Sequence, residues 1–406
     1  MLKSPRTFAI VTALAAGLVV AASTAVASGA APSSPWSQTN SDSAQSRANL
    51  NEHTIVRATV TKVRYLRSVV APVDPPGQLG CASDTLVTPV LTGGKLYAVA
   101  SGRLTKYNPA TGSIIWRHRL SAANDGTSLS YEALSVAGGV VVVGENSCDS
   151  VSDPNGYVQA FSATTGSLKW SKPITPSGGA LGTMVVSGAY VAAAGSSAGG
   201  GNVVSVRRLS TGASVWHRVT QQCAPSAVAV IANLVMSYRC SPSLAETLTA
   251  NHLASGALAW SRPGAWQIQR GNLGTGGHLY ATNPAGTVVG LDPATGQTKY
   301  KLPGATTVLA VDNTRAYADC GSLGVCAYST ATGGRLWDSQ PGAAPALAAE
   351  AGGVLYLDQG LALNSGTGQA ITSLWSGTAT ALAIGDGRIA VIADPRVLDL
   401  FGLHGS

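Results

Sequence analysis

From about residue 86 to the end of the chain, apolar and polar positions alternate in short runs separated by glycine-rich turns. Residues 95–100 (Lys95 to Ala100) and 114–120 (Ile114-Ile115-Trp116-Arg117-His118-Arg119-Leu120) are two such runs. Alternation with a period of two marks a strand with one buried face. The first group of runs covers residues 86–91, 95–100, 102–107 and 114–120, with Thr92-Gly93-Gly94 as the first turn. Four strands in succession, each short and joined to the next by a turn, make one antiparallel sheet.

The group then recurs. Before each fourth strand stands a short phrase that ends in glycine and is followed four residues later by an aromatic. The pairs are Gly112 with Trp116, Gly166 with Trp170, Gly212 with Trp216, Gly256 with Trp260, Gly296 with Tyr300 and Gly333 with Trp337. A seventh copy, Gly368 with Thr372, has lost the aromatic. The glycine spacings are 54, 46, 44, 40, 37 and 35 residues. A period near 40 with one turn and one aromatic per unit indicates a β-propeller. The Thr-Gly ending is turn chemistry, because glycine accepts a positive φ without steric cost. A large ring at one fixed position per blade fills the gap between neighbouring sheets, and each tryptophan buries about 200 Å2.

On these phrases the chain resembles the pyrroloquinoline-quinone-type β-propeller repeat family, whose hallmark is a tryptophan-docking phrase. The resemblance spans residues 54–406 and implies docking roles for Trp116, Trp170, Trp216, Trp260, Tyr300 and Trp337. The family includes quinoprotein dehydrogenases and a non-enzymatic outer-membrane assembly scaffold. The dehydrogenases hold their quinone with a calcium ion, acidic and amide ligands, and a ring-stacking pair of adjacent cysteines. No two cysteines are adjacent in this chain. The resemblance therefore raises pyrroloquinoline quinone and calcium as cofactors without supplying their ligands.

Three strands follow the seventh phrase, at 381–384, 387–392 and 396–401. The missing fourth is sought at the other end, where residues 62–70 alternate like an outer strand and put Tyr65 near the aromatic position. The expected fold is all-β, an eight-bladed propeller closed by an N-terminal strand, with seven blades as the alternative. Closure removes the free edges that a sheet protein must otherwise protect.

The first residues carry Lys3 and Arg6, then an apolar run from Phe8 to about Ala22, then Ala25-Val26-Ala27. That is the pattern of a secretory signal over residues 1–27, with an uncleaved membrane anchor as the alternative. Residues 28–53 are rich in Ser, Ala, Asn and Gln and read as a disordered linker before the propeller at 54–406. Six cysteines suit an exported, oxidised protein. Their places between strands suggest the pairs Cys223–Cys240, Cys320–Cys326 and Cys81–Cys148, all on one face.

The net charge is +7 with 11% charged residues. The excess gathers in Arg57, Lys62, Arg64 and Arg67, and in Arg117, Arg119, Arg207 and Arg208. Such a surface suits an anionic cell wall or membrane, or is simply solvated. No nucleic-acid-binding motif is present. The six histidines are scattered, without zinc-ligand spacing. A loop in blade 2 carries Glu145, Asp149, Asp153 and Asn155, oxygen donors suited to calcium or to an Asx-stiffened turn.

The innermost strands should line a central channel. Aligned on the turn that follows, they present Val87, Glu132, Leu181, Ser226, Arg270, Thr307, Ala346 and Thr380. Glu132 and Arg270, with Tyr131, Trp266, Gln267 and Gln269 nearby, form a candidate site for a polar small molecule, a sugar or a peptide tail. A slip of one residue in register would turn them away. The resulting expectation is a secreted or envelope-associated bacterial propeller, monomeric and non-catalytic, that binds an envelope protein or cell-wall component. A quinone-dependent oxidoreductase, or another enzyme sited in the channel, is the alternative. Membrane association is expected only if the N-terminal helix stays uncleaved.

Overall fold

Eight sheets stand around a ring, each built from strands that run in sequence from the centre outwards. The computed structural model describes residues 34–70, 88–100, 102–120, 128–148, 154–174, 179–197, 201–222, 228–240, 246–274, 277–339 and 345–404. Blade 1 is Val90–Thr92, Lys95–Ala100, Arg103–Tyr107 and Ile114–Arg119. The innermost strands of blades 2 to 8 are Ser128–Ala137, Leu181–Ser187, Ala229–Ile231, Gln267–Gly271, Thr307–Val311, Ala348–Ala351 and Ala381–Gly385. In blade 8 the outer strand is the N-terminal Val63–Val70, antiparallel to Val397–Leu403. The ring therefore has eight blades and is closed by an N-terminal strand.

The repeated phrase makes the same turn each time. The N–H of Gly112 donates to the Asn108 carbonyl at 2.7 Å, and Gly296 to Asp292 at 2.8 Å. Their φ values are +73° and +69°, which glycine adopts freely. The aromatic four residues on reaches the next blade. Trp170 Nε1 donates to the Leu209 carbonyl at 2.9 Å, Trp216 Nε1 to Leu253 at 2.9 Å, Trp260 Nε1 to Pro293 at 2.8 Å and Trp337 Nε1 to Ser365 at 3.1 Å. Trp116 makes a longer contact, 3.4 Å to the Ala163 carbonyl, and Tyr300 substitutes its hydroxyl, 2.6 Å from the Thr330 carbonyl. In each case the acceptor sits three residues before the glycine of the neighbouring phrase, so one indole bridges two blades.

The eighth bridge departs from expectation. Tyr65 is exposed and packs edge-on against Phe401. Like every other outer strand this one has a bulge just before its docking position, which falls at Arg67, and Arg67 lies over Gly112. Other cations clamp blades too. Arg207 donates to the Pro173 carbonyl at 2.7 Å, Arg218 to Gly256 at 2.5 Å and Arg262 to Gly296 at 2.6 Å. Part of the basic excess therefore serves the ring rather than an outside partner.

Apolar cores lie between blades. Val90, Tyr97 and Leu104 of blade 1 pack on Leu134, Val141 and Phe161 of blade 2. A larger cluster joins blades 7, 8 and 1 and includes Trp36 and Ile55, from before the first blade. Residues 34–53 are therefore ordered and largely buried in the ring, which corrects their reading as a disordered linker. Their polar side chains hydrogen-bond to the propeller, as Gln38 does to Val186 and Asn49 to Ile384, or to one another. Residues 1–33, which hold the expected signal segment, lie outside the described residues. Among the described residues no helix is long and apolar enough to cross a membrane.

Candidate functional site

The inner edge of each innermost strand turns its backbone groups toward the axis. One position recurs, two places before the end of the strand-one hairpin: Leu91, Val136, Val186, Val230, Gly271, Val311, Glu350 and Ile384. Each faces a residue of the second strand, for example Leu91 with Leu96 and Val136 with Val141. A backbone group stranded there would cost as much as a lost hydrogen bond.

Residues 36–49 supply the partners in order round the ring. Leu91 donates to the Trp36 carbonyl at 3.0 Å, Val136 to Ser37 at 2.8 Å and Val186 to Gln38 Oε1 at 2.7 Å. Val230 donates to Ser43 and Val311 to Ser46, each at 2.8 Å, while Gly271 donates to Ala44 and Glu350 to Arg47, each at 2.9 Å. At the eighth blade the polarity reverses, and Asn49 Nδ2 donates to the Ile384 carbonyl at 2.8 Å. The segment also adds a two-residue parallel strand, Ala48–Asn49, to blade 7. It makes one lap of all eight blades and closes the hairpin end of the channel.

The lap is knotted where it begins and ends. Buried Glu52 accepts from Ser34 Oγ at 2.8 Å, Thr54 N at 2.8 Å, Ile55 N at 2.9 Å and Gly387 N at 3.2 Å. Asp386 accepts from Ser34 N at 2.9 Å and Gly94 N at 2.8 Å, tying the start of the lap to blades 8 and 1. Gly385 is required beside it, since a Cβ there would meet Trp36 N at 2.7 Å.

Facing up the channel, the lap presents Asn40, Asp42, Gln45 and Arg47 beside Arg270 of blade 5. Arg270 Nη1 donates to the Gln45 carbonyl at 2.9 Å. Arg47 Nε donates to Asn40 Oδ1 at 2.9 Å, and Asn40 Nδ2 to Gln45 Oε1 at 3.0 Å. Asp42 accepts from Ser46 N at 3.1 Å and Ser46 Oγ at 2.5 Å. Burial pushes the Asp42 carboxyl up to about 6 and Arg47 down to about 10. Burial, and then the charge of Arg47, hold Arg270 well below the arginine range against the pull of Asp42. Above this floor Gln267, Thr307, Ala346 and Thr380 are exposed.

The other expected channel residues divide. Trp266 is buried between blades 4 and 5, donates to the Pro263 carbonyl at 3.0 Å and carries Arg262 over its ring, so it is a packing residue. Gln269 stitches blades 5 and 6, accepting from Val308 N at 2.5 Å and donating to Thr282 Oγ1 at 2.6 Å. Counted from the lap-bonded residues Val136 and Gly271, Arg270 corresponds to Ser135 and Glu132 to Gln267, so Glu132 and Arg270 are not equivalent positions. The side chains of Tyr131 and Glu132 lie outside the described residues.

The calcium reading fails at Glu145. Its carboxyl is buried inside blade 2, accepts from Gln159 Nε2, and is pushed up to about 8 by burial. A carboxyl buried between strands and bonded to Gln159 is not presented to a surface cation. Asp149, Asp153 and the Asn155 side chain lie outside the described residues. Among the described residues no cluster of His, Cys, Asp and Glu is suited to a metal. On the channel floor one carboxylate stands beside two guanidinium groups, a donor set that does not fit calcium with a quinone. Cys320 and Cys326 are bonded to each other, 5.9 Å apart at Cα. Cys81, Cys223 and the side chains of Cys148 and Cys240 lie outside the described residues.

A family model described as outer membrane protein assembly factor BamB matches residues 36–302 and 244–398. No curated sequence matches the chain. Among solved structures, BamB from Moraxella catarrhalis is 18% identical, with a TM-score of 0.56 over 84% of this chain and 99% of that one. The quinohemoprotein alcohol dehydrogenase from Comamonas testosteroni is 13% identical, with a TM-score of 0.65 over 93% and 82%. The computationally designed Ika8 protein is 17% identical, with a TM-score of 0.61 over 83% and 99%. At these identities the likeness is one of fold.

Proposed function

The chain belongs to the family described as outer membrane protein assembly factor BamB, and on that premise we propose that it is an exported, non-catalytic binding scaffold of the cell envelope. It acts as a monomer and holds a protein or cell-wall partner on the face opposite the N-terminal lap, where the connections between blades and the loops between second and third strands emerge. The observation that carries this reading is the lap itself. A ring whose inner edges are bonded blade by blade to one segment is a rigid platform, and rigid platforms suit loops that bind. The family premise supplies the envelope setting, and the basic, signal-like first residues agree with export.

The test uses the full chain expressed in an envelope-bearing host and recovered as bait from the envelope fraction. Two variants run beside it, one with residues 241–245 and one with residues 340–344 replaced by Gly-Ser. A defined partner retained by the parent and lost from a loop variant supports the reading. A partner held equally by both variants, or a mature N-terminus that stays in the cytoplasm by fractionation and mass spectrometry, overturns it.

A further inference from the structure

Arg47 comes from the N-terminal lap and Arg270 from blade 5, yet both grip the same short turn, Asn40 to Gln45. That turn is itself fixed, by Asn40 to Gln45 Oε1 at 3.0 Å and by Gln45 Nε2 to the Val228 carbonyl of blade 4. The two guanidinium groups are therefore held by the fold against one short turn. Among the described residues, ion pairs form at Lys299–Asp292, Arg315–Asp312 and Arg335–Asp338, and neither Arg47 nor Arg270 takes part in one. The nearby carboxylate, Asp42, is spent on Ser46. Each guanidinium has five N–H donors, and Arg270 Nε is buried without a partner.

Two fixed cations beside a single carboxylate leave a positive charge that is costly to keep in a low-dielectric site unless an anion joins them. The lap closes one end of the channel, and the exposed Gln267, Thr307 and Thr380 leave the other end polar and open. We propose that the channel floor binds a small oxyanion, a carboxylate or phosphate group held between Arg47 and Arg270. The planar fork of arginine matches either group with two parallel hydrogen bonds. The ligand enters from the loop face. This site is independent of the scaffold reading, since a partner on the loop face needs nothing from the channel floor.

The experiment is thermal unfolding of the full chain with inorganic phosphate or succinate exchanged for chloride at constant ionic strength. A saturable rise in Tm with either probe is expected, and which probe acts separates a phosphate ligand from a carboxylate one. Arg270→Gln and Arg47→Gln should each weaken the midpoint at least tenfold, and Arg57→Gln, outside the channel, should leave it unchanged. No rise beyond chloride, or the same rise in Arg270→Gln, overturns the proposal. Because the channel variants also remove bonds that hold the turn, crystals of the unaltered protein soaked in selenate give an independent reading. An anomalous peak between the two guanidinium groups supports the site, and its absence there overturns it.

Discussion

Trp170 lies flat on Gly212 of the next blade, where an added Cβ would stand 2.6 Å from the indole ring. The same indole donates to the Leu209 carbonyl at 2.9 Å, so its position cannot relax without losing that bond. Gly212→Ala meets two penalties: a left-handed φ of +69°, costing about 1–2 kcal/mol, and overpacking, costing about 1–3 kcal/mol. Gly139 shares the positive φ, +73°, but has nothing within 4 Å of an added Cβ. Urea denaturation should therefore show a loss of about 2–4 kcal/mol for Gly212→Ala and only about 1 kcal/mol for Gly139→Ala. Equal losses would mean that the docking contact is not what glycine serves there.

Trp36 anchors the start of the lap and is 1% exposed. Its replacement by alanine should cost about 3–5 kcal/mol, the usual range for a buried tryptophan. Asn49→Ala strands the Ser34 and Ile384 carbonyls, which its amide now satisfies at 2.9 and 2.8 Å, and should cost about 1–3 kcal/mol. Guanidinium titration checks both. A Trp36→Ala variant as stable as the parent would show that the lap is an ornament on a self-sufficient ring.

Stability should fall between mildly acidic and mildly alkaline pH. Burial raises Glu145 from the ordinary 4.5 to about 8. Burial, with Asp312 adding to it, raises Glu350 to about 8, and Asp42 rises to about 6. A carboxyl that binds its proton more tightly when folded stabilises the fold fully below its unfolded value, near 4.5 for glutamate. That contribution is lost as pH rises through the folded value and is gone above about 8. Glu145→Gln keeps an acceptor for Gln159, so it should raise Tm at pH 8, leave it nearly unchanged at pH 4.5, and flatten the profile between. A variant whose profile keeps the parent's slope would remove Glu145 as a cause.

The Cys320–Cys326 bond closes the short 3-10 turn Gly321–Leu323 between the second and third strands of blade 6. A small loop gives a modest entropic gain, so the double variant Cys320→Ser/Cys326→Ser should lose about 2 kcal/mol. Peptide mapping without reduction should recover the two cysteines in one linked fragment. Recovery of either in a link to another cysteine would contradict the pairing.

The blades were legible because every unit solves the same local problem with the same residues. Gly166, Gly212, Gly256 and Gly296 make a turn and also yield space to Trp116, Trp170, Trp216 and Trp260. The turn alone could be read from the chain, whereas the close approach needed the neighbouring blade. Alternation fails wherever a bulge adds a residue. Every outer strand has one just before its docking position, so Tyr65 stands where Ile114 does and Arg67 where Trp116 does. The first hairpin of blade 5 is longer than that of blade 2, so a count back from its glycine sets Arg270 beside Glu132, whose counterpart is Gln267. The lap was illegible for a different reason. Its hydrogen bonds go about one to a blade and mostly to backbone, so they leave no periodicity, and composition alone reads Ser, Asn and Gln there as a linker. Asp42, Arg47 and Glu52 were the signal available, the three charged residues of an otherwise uncharged run.

Ser34 and Asp386 are 352 positions apart and bonded to each other. Ser34 can take its place only after the last blade exists. Contacts of such long range make folding slow, because chain entropy is surrendered before the contacts that compensate it can form. Until Val397–Leu403 pairs with Val63–Val70, the unfinished ring holds inner edges with unmet amides and an open outer edge. A chain stopped short of its final blade is therefore a kinetically trapped species that invites aggregation or proteolysis. The bonds of Ser34, Asn49 and Glu52 to blade 8 thus form last, and they exist only in a complete ring.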